Sequence, residues 1–191
     1  MPSHVREAYL YHLLLNPPGE IAHMRRAPPE KKPKASRAKA NAKSKSSKAG
    51  NATIADEDEI TQPPPTIIFC TRPKTVAFLT HFLKALDIRA TALHSRLTQR
   101  ERLNSLDLFR ASVIPVLVST DVGARGLDIE DVALVVNWDM PTEPEEYTHR
   151  VGRTARKGRS GMAVSFVTER DEERVKKVEA RIGKDSGSPR G

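Results

Sequence analysis

Apolar positions along this 191-residue chain recur as short dense runs separated by longer, spaced ones. The dense runs are 66–70, 90–94, 116–119, 132–137 and 162–167, rich in Ile, Val, Leu and Ala. A run that is apolar at nearly every position has no wet side, so each predicts a strand buried on both faces. The segments between them carry helical spacing. Residues 73–86 predict a helix with Pro73 in its first turn and Phe78, Leu79, Phe82, Leu83 and Leu86 facing inward. Thr98-Gln99-Arg100-Glu101 is a capping box opening a helix to about Arg110. Residues 144–151 read as helical, and Thr168 caps a last helix to about Ile182. At the front, Ser3 caps a helix through Leu15 with Val5, Tyr9 and Leu13 on one stripe, and Asn16-Pro17-Pro18-Gly19 stops it. Strands alternating with helices predict an α/β fold, a parallel sheet covered by helices on both faces. Ligands of such sheets meet the loops at the carboxyl ends of the strands. Those loops here are Thr71-Arg72, His94-Ser95-Arg96 and Ser119-Thr120-Asp121.

Between residues 25 and 65 the pattern stops. Ala, Lys and Ser give way to an acidic patch at 56–59 and to Pro63-Pro64-Pro65. Too few apolar groups are present to offset the entropy of ordering, so 25–65 reads as a disordered insert. The domain then comprises an N-terminal helix within 1–24 and a body at 66–182, with 183–191 a disordered tail. The insert also changes what the net charge means. Residues 25–50 hold ten Lys or Arg and one acid, Glu30, so this stretch carries +9 and the rest of the chain −1. The overall +8 therefore describes the insert, and nucleic-acid binding has to be argued from individual residues. Lys31-Lys32-Pro33-Lys34 reads equally as a nuclear address or as solvated linker charge.

One cysteine excludes an internal disulfide and any zinc site built from several thiolates. Cys70 lies in an apolar run and reads as a small buried hydrophobe. Six scattered histidines lack ligand spacing, so no metal centre built by this chain is expected. No apolar stretch approaches the ~20 residues that span a bilayer, and no leader pattern opens the chain. The expectation is a soluble intracellular monomer.

The densest chemistry is at 149–158, His-Arg-Val-Gly-Arg-Thr-Ala-Arg-Lys-Gly. Arg150, Arg153 and Arg156 recur at a spacing of three, which on a helix places them on roughly one side. Unpaired guanidinium groups stay out of dry cores, so packing does not account for the spacing. Two readings remain: guanidinium forks gathered for phosphate oxygens, or a solvated basic turn answered by carboxylates.

Four ordered motifs over 66–182 now carry a resemblance: Ile67-Ile68-Phe69; Gln99 with Arg102; the run 119–129 from Ser119-Thr120-Asp121 to Leu127-Asp128-Ile129; and 149–158. The chain resembles the second RecA-like domain of DEAD-box ATP-dependent RNA helicases. Leu93-His94-Ser95 and Arg153-Thr154-Ala155-Arg156 are similar to the subgroup that matures small-subunit ribosomal RNA. The resemblance implies that Arg153 and Arg156 are arginine fingers reaching the γ-phosphate of ATP. Gly126 and Asp128 would sit at the nucleotide, with Asp128 on the ribose hydroxyls. Arg72, Ser95, Arg96, Gln99, Arg102, Thr120 and Asp121 would hold the RNA backbone. Arg125, His149 and Arg150 would couple nucleotide to the interdomain contact. ATP and Mg2+ would be held mainly by an N-terminal RecA-like domain missing from this chain, as is the domain's own first strand. Pre-ribosomal RNA would be the partner and the nucleolus the place.

Plainer readings stand beside these roles. Thr120 can cap the short helix after its strand, Asp128 a turn, and Asp121 can hold its loop through backbone amides. Arg102 reads as an exposed helix position and His149 as a satisfied neighbour of the site. Gly123 and Gly126 can be present only for backbone angles. The sequence also departs from the family: Ser95 stands where Gly is usual, and Gly123 where a small side chain is. No Gly-x-x-x-x-Gly-Lys-Ser/Thr and no Asp-Glu-Ala-Asp occurs, so nothing in the chain cradles β- and γ-phosphates. The expected function is the C-terminal half of an ATP-dependent RNA helicase, inactive alone. A lone RecA-like module that binds RNA or protein without catalysis is the alternative.

Overall fold

The dense apolar runs form five strands: β1 Thr66–Cys70, β2 Ala90–Leu93, β3 Val116–Thr120, β4 Leu134–Asn137 and β5 Met162–Ser165. The computed structural model describes residues 1–24, 62–127, 129, 132–156, 158 and 160–186. The strands make one sheet in the order β2-β3-β1-β4-β5, every neighbouring pair parallel. β1, β3 and β4 are buried at every position, which is why their sequences carry no polar alternation. Helices α1 Arg6–Leu15, α2 Gly19–Ala22, α3 Pro73–Ala85, α4 Gln99–Arg110, α5 Asp121–Ala124, α6 Pro144–Val151 and α7 Glu172–Ser186 complete the described chain. Among the described residues no strand precedes α1.

Successive strand residues point to opposite faces, so Ile67 and Ile68 enter different cores. On one face Ile68, Val116 and Val118 meet Val76, Leu79 and Leu83 of α3 and Leu10 and Leu14 of α1. On the other, Ile67, Leu117 and Val135 meet Leu106 and Phe109 of α4 and Ala124 of α5. The predicted sheet with helices on both faces is present. Cys70 is buried as expected, and desolvation pushes its thiol far above the ordinary range, so it is inert at neutral pH.

Five local expectations change. α1 begins at Arg6 after a 3-10 turn, with Val5 as N-cap and no side-chain cap bond, in place of the predicted Ser3 cap. Its buried stripe runs through Leu10 and Leu14, while Tyr9 is 57% exposed. The reason is Arg6, which starts the 6–10–14 stripe by laying its guanidinium 4.2 Å over the Trp138 ring. On α3 the inward face is Val76, Leu79, Thr80 and Leu83, and Phe78 instead lies 52% exposed, stacked on Phe82 at 6.2 Å. A helix lying on one sheet buries a single stripe, narrower than the five apolar positions available. At the domain boundary, Gln62 donates to the Asp87 carbonyl at 2.8 Å and accepts from Arg89 N–H at 2.9 Å, and the Pro65 carbonyl takes Ala133 N–H at 2.9 Å. Residues 62–65 thus belong to the folded body, and only 25–61 of the expected insert lies outside the described residues. α7 runs on to Ser186, into the expected tail, of which 187–191 lie outside the described residues.

Gly123 also departs from the backbone-angle reading. It sits within α5, and a Cβ there would press on the Leu93 carbonyl, 2.9 Å from its carbon and 3.0 Å from His94 Cα. What glycine supplies is close approach of α5 to the end of β2, because backbone cannot move aside as a flexible side chain can. Gly183 in α7 meets nothing within 4 Å. Gly123→Ala is therefore expected to lose about 1–3 kcal/mol by overpacking, whereas Gly183→Ala gains up to about 1 kcal/mol of helix propensity; equilibrium urea unfolding of both variants checks the opposite signs.

Candidate functional site

The chain leaves β1 through α3 toward β2, and leaves β3 and β4 toward the other edge. Loops that part in this way open a crevice at the carboxyl ends of the strands. An open cavity of about 410 Å³ lies there. Its lining comes from the end of β1 (Phe69), from the segment after β3 (Asp121, Ala124, Arg125, Gly126) and from α6 and the turn beyond it (Glu146, His149, Arg150, Arg153).

Arg150 forms the inner wall. It is 2% exposed, and its charge is answered on every side. Nε and Nη2 donate to the two carboxylate oxygens of Asp121, each at 2.6 Å. Nη1 donates to the Asp139 carbonyl at 2.7 Å and to Asn137 Oδ1 at 3.2 Å. The Phe69 ring lies 5.2 Å beneath. Two parallel charge-assisted bonds in fork geometry are the arrangement that makes a buried guanidinium tolerable. The expectation that the three arginines stand together on one helical side is thereby corrected. α6 ends at Val151, so Arg150 turns into the protein from the helix while Arg153 and Arg156 stand beyond its end. Packing does account for one member of the series, because that member is paired. Asp121 is likewise placed as the partner of Arg150, through its side chain and not through backbone amides.

The turn after α6 is pinned by Thr154, buried, whose hydroxyl donates to the Val132 carbonyl at 2.5 Å beside a parallel bridge between the same two residues. Arg153 then lines the cavity, with Nη1 donating to the Leu127 carbonyl at 3.2 Å. Among the described residues no carboxylate forms an ion pair with it. Arg156 folds back, its Nε donating to the Gly152 carbonyl. Arg125 and His149 are exposed at the cavity rim. Gly126 has φ 72°, and nothing lies within 4 Å of where a Cβ would stand, so both its conformation and its open side suit close approach of a ligand. Asp128 lies outside the described residues.

The sheet order places the loops after β2, β3 and β1 side by side, which gathers most of the expected RNA contacts on one rim. Gly123 is their junction. Thr120, buried, caps α5 by accepting Gly123 N–H at 3.1 Å, the plainer reading of that residue. Arg102 of α4 donates from Nη2 to the Gly123 carbonyl at 3.3 Å and from Nη1 to Gln99 at 3.5 Å. Its Nε is buried without a partner, so Arg102 is not the exposed helix position of the plainer reading. Arg72, Ser95, Arg96 and Gln99 are exposed. The predicted capping box holds: Glu101 accepts from both Thr98 donors at 2.8 Å. His94 is buried under this rim and accepts Arg96 N–H on Nδ1 at 3.2 Å, which fixes its neutral Nε2–H form. Desolvation first, and the Arg96 charge second, hold its pKa below the usual value.

Asn137 and Asp139 are site residues that the sequence reading passed over, and Phe69 entered it only as part of the Ile67-Ile68-Phe69 motif. Each lies at the carboxyl end of an apolar strand, the positional signal already used for Thr120 and Asp121. Asn137 is fully buried and links Arg150 to Ser165, donating to the serine hydroxyl at 3.0 Å.

Removing one partner of the buried pair strands a charge in the core, so Asp121→Ala is expected to cost about 3–5 kcal/mol, read by urea unfolding. His94 adds a pH dependence. Its folded pKa lies below the unfolded value of 6.5, so the unfolded chain takes up the proton first. Its contribution is complete above that pH and lost as pH falls through the unfolded value toward the folded one. Unfolding free energy measured between pH 7.5 and 5 should fall less steeply in His94→Gln than in the unaltered chain.

Comparison with known proteins agrees with this geometry. Residues 51–158 match the family model described as "Helicase conserved C-terminal domain". The chain is 46% identical over 190 residues, 95% of its length, to the ATP-dependent RNA helicase DBP8 of Mycosarcoma maydis. It spans 36% of that relative. The solved C-terminal domain of the DEAD-box protein Dbp5 superposes with TM-score 0.60 at 38% identity, over 63% of this chain and 71% of that one. A variant of Saccharomyces cerevisiae Dbp5, described as bound to RNA and ADP BeF3, superposes with TM-score 0.59 at 38% identity, over 63% of this chain and 32% of that one. With a parallel sheet that places these motifs around one crevice, the chain belongs to the helicase conserved C-terminal domain family, as a DEAD-box C-terminal RecA-like domain.

Proposed function

We propose that this chain supplies one half of the catalytic site of an RNA-dependent ATPase that opens short RNA duplexes. The carrying observation is Arg153: a guanidinium lining an open strand-end cavity, braced on a backbone carbonyl, with no described carboxylate paired to it. A fork of donors fixed in that way suits the charge that develops on a transferring phosphoryl group. Arg156, Arg125 and His149 stand beyond the same helix end or at the same rim. The residues present fit a nucleotide on one side only. Gly126 leaves open approach and Arg153 offers donors, while no phosphate-cradling Gly-x-x-x-x-Gly-Lys-Ser/Thr run occurs in the 191 residues. ATP would supply the phosphoryl group whose transfer to water is the reaction, with ATP and Mg2+ held mainly by a second RecA-like domain. Arg153 and Arg156 act as fingers from this side, and Asp128 takes the ribose. That second domain provides the phosphate cradle, and the chain alone is inactive.

On the neighbouring rim, Arg72, Ser95, Arg96, Gln99 and Arg102 present hydroxyl, amide and guanidinium groups, with Thr120 buried beneath them as the cap of α5. Such groups grip a sugar–phosphate backbone without reading sequence. The yeast Dbp5 neighbour is described as bound to RNA and ADP BeF3, which supports RNA and a nucleotide as the ligand classes. The similarity of residues 93–95 and 153–156 to the subgroup that matures small-subunit ribosomal RNA favours a ribosomal RNA precursor as substrate and the nucleolus as the place of action.

The test is an ATPase assay on the chain combined with a P-loop RecA-like domain and single-stranded RNA. Arg153→Ala is expected to lower kcat by about 10³-fold or more, the scale of arginine-finger loss in related chemistry, with RNA affinity little changed. Equal turnover with and without Arg153 would overturn the finger assignment and leave the non-catalytic RNA-binding module as the reading.

A further inference from the structure

Asp139, the second residue past β4, is engaged through both carboxylate oxygens, its carbonyl and its N–H. Its carboxylate Oδ2 accepts both the backbone N–H of Thr71 at 2.9 Å and the Thr71 hydroxyl at 3.1 Å. Its Oδ1 faces Arg6 Nη2 at 3.5 Å, the guanidinium that covers Trp138. Its backbone carbonyl accepts Arg150 Nη1 at 2.7 Å, and its own N–H donates to the Phe69 carbonyl at 3.4 Å. Thr71 immediately precedes Arg72 on the RNA-facing rim, whereas Phe69 and Arg150 line the nucleotide-facing cavity. One short side chain thus ties the first loop to the wall of the second. With only two side-chain torsions between carboxylate and backbone, Asp139 has little freedom to absorb a displacement of Thr71 before its carbonyl moves. Arg150 has little room to ignore that movement, since Asp121 and Asn137 hold its remaining donors.

We propose that Asp139 is a positioning residue that holds the Thr71–Arg72 loop and the Arg150 wall in one fixed relation, so that RNA bound at one rim is felt at the other. Arg6 makes α1 a third party to this relation through the opposite carboxylate oxygen. The inference rests on the reading of Arg72 as an RNA contact, and its test separates the two.

The experiment is an amide NMR titration of the full ¹⁵N-labelled chain with a single-stranded RNA oligonucleotide. Signals from 25–61 report charge-driven binding by the basic segment and serve as an internal reference. In the unaltered chain, Arg72 and the cavity residues Arg125 and Gly126 should shift together with one midpoint. In Asp139→Ala, Arg72 should still shift, with a midpoint about three- to tenfold weaker, the loss of about one net hydrogen bond. Arg125 and Gly126 should no longer follow. Asp139→Asn keeps an acceptor for Thr71 N–H and should restore the joint response, whereas Asp139→Leu, which fills the space without an acceptor, should not. Thr71→Val, which removes only the hydroxyl bond, should shrink the cavity response and decides the matter if the alanine variant fails to fold. Cavity signals that follow RNA undiminished in Asp139→Ala, or in Thr71→Val where the alanine variant does not fold, overturn the proposal while leaving the RNA reading intact. An Arg72 signal that ignores RNA in the unaltered chain overturns that reading and the proposal with it.

Discussion

A guanidinium buried at the carboxyl end of a parallel sheet is the constraint around which this domain is arranged. Burying the Arg150 guanidinium is tolerable only with acceptors placed around it. Asp121, Asn137 and Asp139 supply them from the ends of β3 and β4. The three segments that make the cavity are therefore not independent loops resting on a scaffold. They are parts of one hydrogen-bonded unit, and the cavity inherits its shape.

Close backbone approach is the second element of that unit. Gly123 lets α5 press on the end of β2, and the same helix turn receives the Thr120 cap and the Arg102 guanidinium. Residues expected to touch RNA are thereby held by the protein itself before any ligand arrives. Holding donors in place beforehand lowers the ordering cost of binding. The two rims, one suited to phosphoryl chemistry and one to a nucleic-acid backbone, share Asp121 and the β1 end as common walls.

The comparisons bear on this domain and not on a whole protein, since the chain spans about a third of the fungal helicase it matches over nearly all its own length. Within that span, the family resemblance read from four motifs is upheld. The physical reading of the arginine series is not. Spacing of three suggested a shared helical side, yet α6 terminates between the first and second arginine. The helix end, set by Gly152 and the Thr154 anchor, divides one buried structural arginine from the two beyond it.

Much was legible in the residues alone. Five strands, the capping box at Thr98, the buried Cys70 and the three strand-end loops follow from local periodicity and cap chemistry. These depend on neighbours a few positions apart, and the sequence displays such neighbours directly. Helix phase was less legible: the stripe of α1 shifted because Arg6 found Trp138, and Phe78 of α3 turned outward because one sheet offers one groove. The inner wall of the site was not legible at all. Whether an arginine is a free donor or a paired core group depends on a carboxylate 29 positions away, and the demand for glycine at 123 depends on a carbonyl 30 positions away. Sequence determined which elements exist and which loops share an edge. Only the tertiary structure decided which charges meet, because burial sets the strength of a charge pair and burial belongs to the assembled fold.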